Sequence, residues 1–403
     1  MKIWNVNFNI IDEEGKSVIK VFFSKIDMKI AYITNGSPYN KNSWSGTNYY
    51  VRKSLEDQGH EVYCIYDAPK CPLIHRVLAR IARCFNMTYH TDRTRLFSKK
   101  WSKVILSRLQ PGTDAIVSLG TIPVAYLETR IPIFIYVDGI FEQMRTYYDW
   151  GNMPTYNLRE ANHIEQMAIN RCTKIVSCSL ETTKAIEHFY NGAKGKTATI
   201  PLGANWDTEP TKDEVQMYIQ GRNKDVCRLL FCGVEWERKG ADIVVDTVKL
   251  LHSKGFPVEL HMCGLKEIPI ELPPYVINHG FIAKSSQEGL DKLKELFTTS
   301  HFLFVPSRAE AYGLVFCEAS AYGVPTISHR TGGLYTIVKD GVNGQLFDLG
   351  TTPEIFAEYI ERVFNNYREY IDLANSSYMR YKSDLNWEVS GRLLSDLIRD
   401  NIK

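Results

Sequence analysis

Residues 300–318 read Ser-His-Phe-Leu-Phe-Val-Pro-Ser-Arg-Ala-Glu-Ala-Tyr-Gly-Leu-Val-Phe-Cys-Glu. His301 to Val305 is an apolar run the length of a buried strand, and Pro306 and Ser307 end it. Glu310 then falls in a loop at the strand's carboxyl end, and Gly313 opens a helical pattern that runs to about Tyr322. Glu318, eight positions after Glu310, lies roughly a turn and a half inside that helix. Backbone N–H groups of the helix's first turn point between the two carboxylates, as an anion site requires. Open α/β sheets hold their ligands at this edge. Two Glu at this spacing also fit a surface loop followed by a solvated helix face, because charged side chains are mostly exposed.

Upstream, Arg228 to Cys232 reads as a strand, followed by Gly233-Val-Glu-Trp-Glu-Arg-Lys-Gly240 and a helix from Ala241 to Leu251. Arg238 and Lys239 thus stand at a strand-to-helix junction, where two cations and a helix N-terminus can meet an anion. Alone they are equally a basic pair in a surface turn. Further strands are expected at Val258 to Cys263, Val276 to Asn278 and Val324 to Ser328, with helices from Pro353 to Phe364, Tyr367 to Tyr381 and Trp387 to Asn401. The first half repeats the alternation, with strands at Lys29 to Thr34, Glu61 to Tyr66, Ala115 to Leu119, Ile133 to Val137, Lys174 to Cys178 and Thr197 to Pro201. Thr47 is placed to cap a helix running to Asp57. Strands alternating with helices make a doubly wound parallel sheet, here twice.

With Tyr312-Gly313-Leu314 between the acids and the Arg-Lys motif upstream, the chain resembles retaining glycosyltransferases of family 4, which carry an E-x7-E pattern on the GT-B fold. The resemblance covers about residues 28–403, specifically in the second half and loosely in the first. It implies two Rossmann-like α/β domains facing each other across a cleft, with the C-terminal helix crossing back to the first. The domains expected are an extension over 1–27 (a β-hairpin, either an added element or an upstream start), an acceptor-binding domain over 28–204, a linker over 205–225, a nucleotide-sugar domain over 226–385, and the crossing helix over 386–403.

The activity implied is transfer of a sugar from a nucleotide-diphosphate sugar, with UDP favoured over GDP, to a glycan, lipid-linked or other hydroxyl acceptor. Arg238 and Lys239 would stabilise the leaving diphosphate without a metal or other cofactor. The resemblance assigns Glu318 to the ribose hydroxyls and Glu310 to a hydroxyl of the transferred sugar. Gly313, Leu314 and Val315 would offer backbone N–H groups, beside Tyr312. Phe281 or Ile282 would flank the base, Gly333 would form a further wall, and Gly46 would let a loop close over the diphosphate. Asp138 stands where family members place a His; it would orient the acceptor hydroxyl or merely cap its loop. A nucleotide-sugar epimerase or phosphorylase on the same scaffold, or a non-catalytic descendant that binds sugar or membrane, is the alternative, since fold alone does not decide activity.

Composition narrows the partners. The 403 residues are 44% hydrophobic and 23% charged, the balance of a globular protein. Nine Cys, an odd number without a close C-x-x-C pair, point to reduced thiols and a cytoplasmic setting. Residues 70–108 carry ten Lys and Arg against one acid, Asp92: a local charge of +9 that leaves −7 for the rest of a chain whose net charge is +2. Leu73, Ile74, Val77, Leu78, Ile81, Ala82 and Phe85 recur there at helical spacing. Such a segment is either a core-facing helix with a solvated basic face or one that lies on an anionic membrane, peripheral on its inner face. Nucleic acid fits less well, because no reader motif accompanies the charge.

Overall fold

A computed structural model describes residues 3–11, 17–25, 27–147, 150 and 152–402. Short runs rich in apolar residues, alternating with helices, build two six-stranded sheets, every neighbouring pair in them parallel. The first runs in the order Glu61–Ile65, Lys29–Ile33, Ala115–Leu119, Ile133–Val137, Lys174–Ser177, Thr197–Thr199. Its central strands, Ala115–Leu119 and Ile133–Val137, are buried along their whole length, as strands covered by helices on both faces are. The second runs Val276–Asn278, Val258–Cys263, Cys227–Cys232, Phe302–Phe304, Thr326–His329, Gly344–Phe347.

Each sheet reverses its direction of growth beside its first strand. In one sheet this happens between Lys29–Ile33 and Ala115–Leu119, in the other between Cys227–Cys232 and Phe302–Phe304. Helices leave these strand pairs towards opposite faces, which opens a crevice at the carboxyl ends. The stretch 300–318 forms the strand Phe302–Phe304, a loop, and the helix Leu314–Ala321, so Glu310 and Glu318 stand at the second crevice.

The helix Trp387–Asn401 returns to the first domain and packs on Thr47–Asp57. Gly391 permits the approach, since a Cβ there would meet the Ser54 side chain and carbonyl at 2.8 Å. Trp387 stacks on Tyr50, with ring centroids 5.8 Å apart, and its Nε1–H donates to Asn205 Oδ1 at 3.0 Å. His60 Nε2 and Ser395 Oγ lie 2.7 Å apart across the same seam.

Three expectations are corrected. The stretch 205–225 is not all linker, because Lys212–Gly221 is a helix that buries Val215 and Ile219. Its start carries a capping box. Thr211 Oγ1 accepts from Glu214 N at 3.2 Å, and Glu214 Oε2 accepts from Thr211 N at 2.8 Å. Thr47 is the first residue of its helix, and Gly46 is the cap. The basic segment forms two helices, Leu73–Cys84 and Arg95–Arg108, and the first does not turn its apolar face to the core. Leu73, Ile74, Val77, Ile81 and Phe85 are 50–74% exposed, while His75 and Ala82 face inward.

At the N-terminus, strands Ile3–Ile11 and Ser17–Lys25 pair antiparallel, with Ile3 opposite Lys25 and Ile11 opposite Ser17. All nine cysteines are unbridged. Among the described residues no helix is long and apolar enough to cross a membrane.

Candidate active site

A cavity of about 670 Å³ lies between the domains at the second crevice. Glu310, Glu318, Arg238, Lys239, Asp138, Tyr312, Gly313, Leu314, Val315, Phe281 and Ile282 all line it. Two glycines shape its rim. Gly240 has φ 74°, and a Cβ there would lie 2.3 Å from the Pro306 carbonyl. Only glycine lets the Arg238-Lys239 turn sit directly on the strand that leads to Glu310. Gly313, at φ 97°, caps the helix Leu314–Ala321; a Cβ would meet the Phe316 ring at 2.5 Å. The cap leaves the first-turn N–H groups of Leu314 and Val315 at the cavity wall without intrahelical partners.

Lys239 is ion-paired with Glu310, and both are buried. Ser307 Oγ donates to the same Glu310 Oε2 at 3.3 Å. Arg238 is oriented by its own loop: Nη1 donates to Ala309 O at 3.0 Å and Nη2 to Glu235 Oε1 at 2.8 Å. Glu318, also buried, is ion-paired with Lys284. Each acid is thus held by a cation that a polyanionic ligand could draw away. A buried carboxylate left without such a partner is costly.

Asp138 sits where the two domains face each other. Trp44 Nε1–H donates to its Oδ2 at 3.0 Å. Burial pushes its carboxyl up to about 6, against the pull of the Trp44 N–H, and the charge of Glu310 adds to the rise.

Two expected residues lie elsewhere. Gly46 is not on the cavity wall. Its missing Cβ faces Asn205 Nδ2 at 2.8 Å and the Lys41 carbonyl at 3.1 Å, while its neighbours Ser45 and Thr47 line the cavity. Gly333 braces the acidic loop from behind, where a Cβ would lie 2.3 Å from the Ala311 carbonyl. Tyr312 lines the cavity, but its hydroxyl is committed to Leu202 O at 2.8 Å, a tie between the domains.

Among the lining residues that the sequence does not single out are Lys41, Trp44 and Lys284. Lys284 lies two positions after Ile282, and Trp44 two before Gly46, so both are adjacent to flagged positions. Trp44 and Ser45 adopt φ of 49° and 53°, a region non-glycine residues rarely enter, which aims the indole into the interdomain gap.

A second cavity of about 610 Å³ opens at the first crevice, and Trp44 and Asp138 are common to both. It is framed by Asn35 and Gly36 after one strand and by Gly120 and Thr121 after the next.

Residues 227–366 match the family described as glycosyl transferases group 1. The chain is 29% identical over 161 residues to an uncharacterized glycosyltransferase of Methanocaldococcus jannaschii, covering 40% of this chain and 44% of that one. It is 26% identical over 278 residues to a glycogen synthase of Pseudomonas syringae pv. tomato, covering 60% and 54%. The chain therefore spans about half the length of these curated relatives. Its fold is similar to that of Anabaena Alr3699/HepE, solved in complex with UDP and glucose, with a TM-score of 0.60 and 14% identity over 92% of this chain and 99% of that one. Residues 227–366 belong to the glycosyl transferases group 1 family, within a chain that has the GT-B fold.

Proposed function

We propose that the protein is a retaining glycosyltransferase that moves a sugar from a nucleotide-diphosphate sugar, UDP-linked by preference, to a hydroxyl acceptor. The observation that carries this reading is the convergence of Arg238, Lys239, Lys284, two buried acids and a free helix N-terminus on one interdomain cavity. The matched family and the UDP-bound structural relative support it.

The chemistry follows from charge. As the bond from C1 to the diphosphate oxygen breaks, its electron pair goes to the leaving group. Arg238, Lys239 and the N–H groups of Leu314 and Val315 meet that growing charge in a preorganised site. The cations thereby do the work that a divalent metal does in other transferases. Glu310, released by Lys239, hydrogen-bonds a hydroxyl of the transferred sugar, and Glu318, released by Lys284, takes the ribose. The acceptor oxygen bonds to C1 on the face the diphosphate leaves. Its proton passes to a donor phosphate oxygen, while Asp138 orients the hydroxyl.

Thermal-shift measurement with UDP-, GDP- and ADP-sugars tests the donor class, since a ligand of the folded state raises stability by mass action. A UDP-sugar should give the largest rise, undiminished by EDTA. No rise with any nucleotide sugar would remove the reading.

The same proposal assigns the helix Leu73–Cys84 to an anionic lipid surface, reached from the cytoplasmic side. Its four exposed apolar side chains, Leu73, Ile74, Val77 and Ile81, with Phe85 just past its end, share this segment with exposed Arg76, Arg80 and Arg83 and with no acid. That combination suits a bilayer of negative headgroups. Sedimentation with phosphatidylglycerol vesicles should capture the protein and lose it on Val77→Glu with Ile81→Glu. Equal capture of that variant would contradict the assignment.

A further inference from the structure

The second cavity has a charge opposite to the first. Arg93 is its one cation, against Asp92, Asp138 and Glu165. Arg93 is already committed. Its Nη1 donates to Glu165 Oε1 at 3.3 Å, and its guanidinium lies over Phe141 and Trp150, 5.0 and 5.3 Å from the ring centroids. Glu165 is saturated as well, accepting from Thr121 Oγ1 at 3.0 Å and from Phe141 N at 3.1 Å. That leaves two carboxylates facing the space. Asp138 carries the Trp44 hydrogen bond on one oxygen, and Asp92, half-buried, makes no hydrogen bond or ion pair among the described residues. An ionised carboxylate only accepts hydrogen bonds. Beside them stands Trp44, 38% exposed, offering an apolar face.

We infer that this cavity selects acceptors that are uncharged or amine-bearing, hydroxyl-rich rings at the reacting end, and rejects those carrying phosphate or carboxylate there. The inference rests on the transferase reading and adds the acceptor's chemical class to it. Hydroxyl or ammonium hydrogens meet Asp92 and Asp138, and the ring's C–H face lies on Trp44. An anion entering the same space gives up its water to face two carboxylates, with the one guanidinium turned to Glu165. Like charges brought together in a desolvated pocket are a strong source of selectivity.

The test uses UDP-loaded protein and four probes of similar size: methyl glucoside, glucosamine, glucose 6-phosphate and glucuronate. Saturation-transfer NMR reads their binding even when it is weak. The first two should bind at least tenfold more tightly than the last two, and Asp92→Lys should invert the order. Since Asp92 holds nothing in the fold, that variant should melt at the wild-type temperature, and the melt is measured alongside. Equal or tighter binding of the phosphate or carboxylate sugar would overturn the inference. So would the absence of signal from all four while UDP still binds, which leaves the donor reading standing. If UDP itself fails to bind, it is the transferase reading beneath that falls.

Discussion

The two cavities sit at equivalent places in two similar sheets, yet they are built by opposite means. The C-terminal one gathers four cations, Lys41, Arg238, Lys239 and Lys284, against Asp138, Glu310 and Glu318. The N-terminal one sets three acids against a single, already engaged arginine. In the first, Glu310 and Glu318 are paired with Lys239 and Lys284, cations that an anionic ligand could recruit. In the second, Glu165 is already engaged, and Asp92 and Asp138 are left facing the space. The fold supplies a crevice twice, and in the proposed transferase the loop side chains would decide which half of the reaction each crevice serves.

The largest effect should come from breaking the cationic side. Lys239→Ala removes the cation proposed to meet the diphosphate and strands Glu310, so turnover should fall by about 10²–10³-fold, the scale of a lost transition-state donor. Near-normal turnover in a folded Lys239→Ala protein would erase the distinction between the cavities.

Asp138, the residue common to both, sharpens the comparison through pH. Its carboxyl is raised to about 6, so the ionised form, proposed to accept the acceptor's hydroxyl hydrogen, is present above that pH and lost below it. kcat/KM should rise as pH increases through about 6 and then level. Asp138→Asn should lower it roughly 10²-fold, the scale on which misplacing a reacting group costs, and abolish the acid limb. An acid limb near 4, the ordinary carboxylate range, would contradict the burial argument. A smaller effect is expected at the ribose end. Lys284→Ala should raise the donor KM about tenfold, equivalent to about 1.4 kcal/mol, with kcat little changed. A fall in kcat instead would move Lys284 into the chemistry.

The same contrast explains what was legible in the sequence. The C-terminal site is local: Glu310, Gly313 and Glu318 lie within one loop and helix, and Arg238-Lys239 within one turn. Spacing put them at strand ends, where they fitted ordinary surface charge as well, and the family resemblance chose between the two readings. The N-terminal site draws Asp92, Thr121, Asp138, Trp150 and Glu165 from separate loops and helices, and no spacing rule relates them. Gly46 and Gly333 were misplaced because a glycine marks a close approach without saying to what. Gly46 approaches Asn205 and Gly333 approaches the Ala311 carbonyl, both backing the site rather than lining it. Lys284 was missed because an ion pair to Glu318 across 34 positions leaves no local pattern. The helix Leu73–Cys84 was readable as amphipathic, but periodicity is blind to which face meets the protein.

Everything proposed for the C-terminal cavity depends on its cations holding the donor diphosphate. Calorimetric titration of UDP, in EDTA, into the wild-type protein and into the Arg238→Ala, Lys239→Ala double variant tests it directly. The account predicts measurable binding to the wild type and at least a tenfold weaker dissociation constant for the variant. Equal affinity in the two proteins would contradict it.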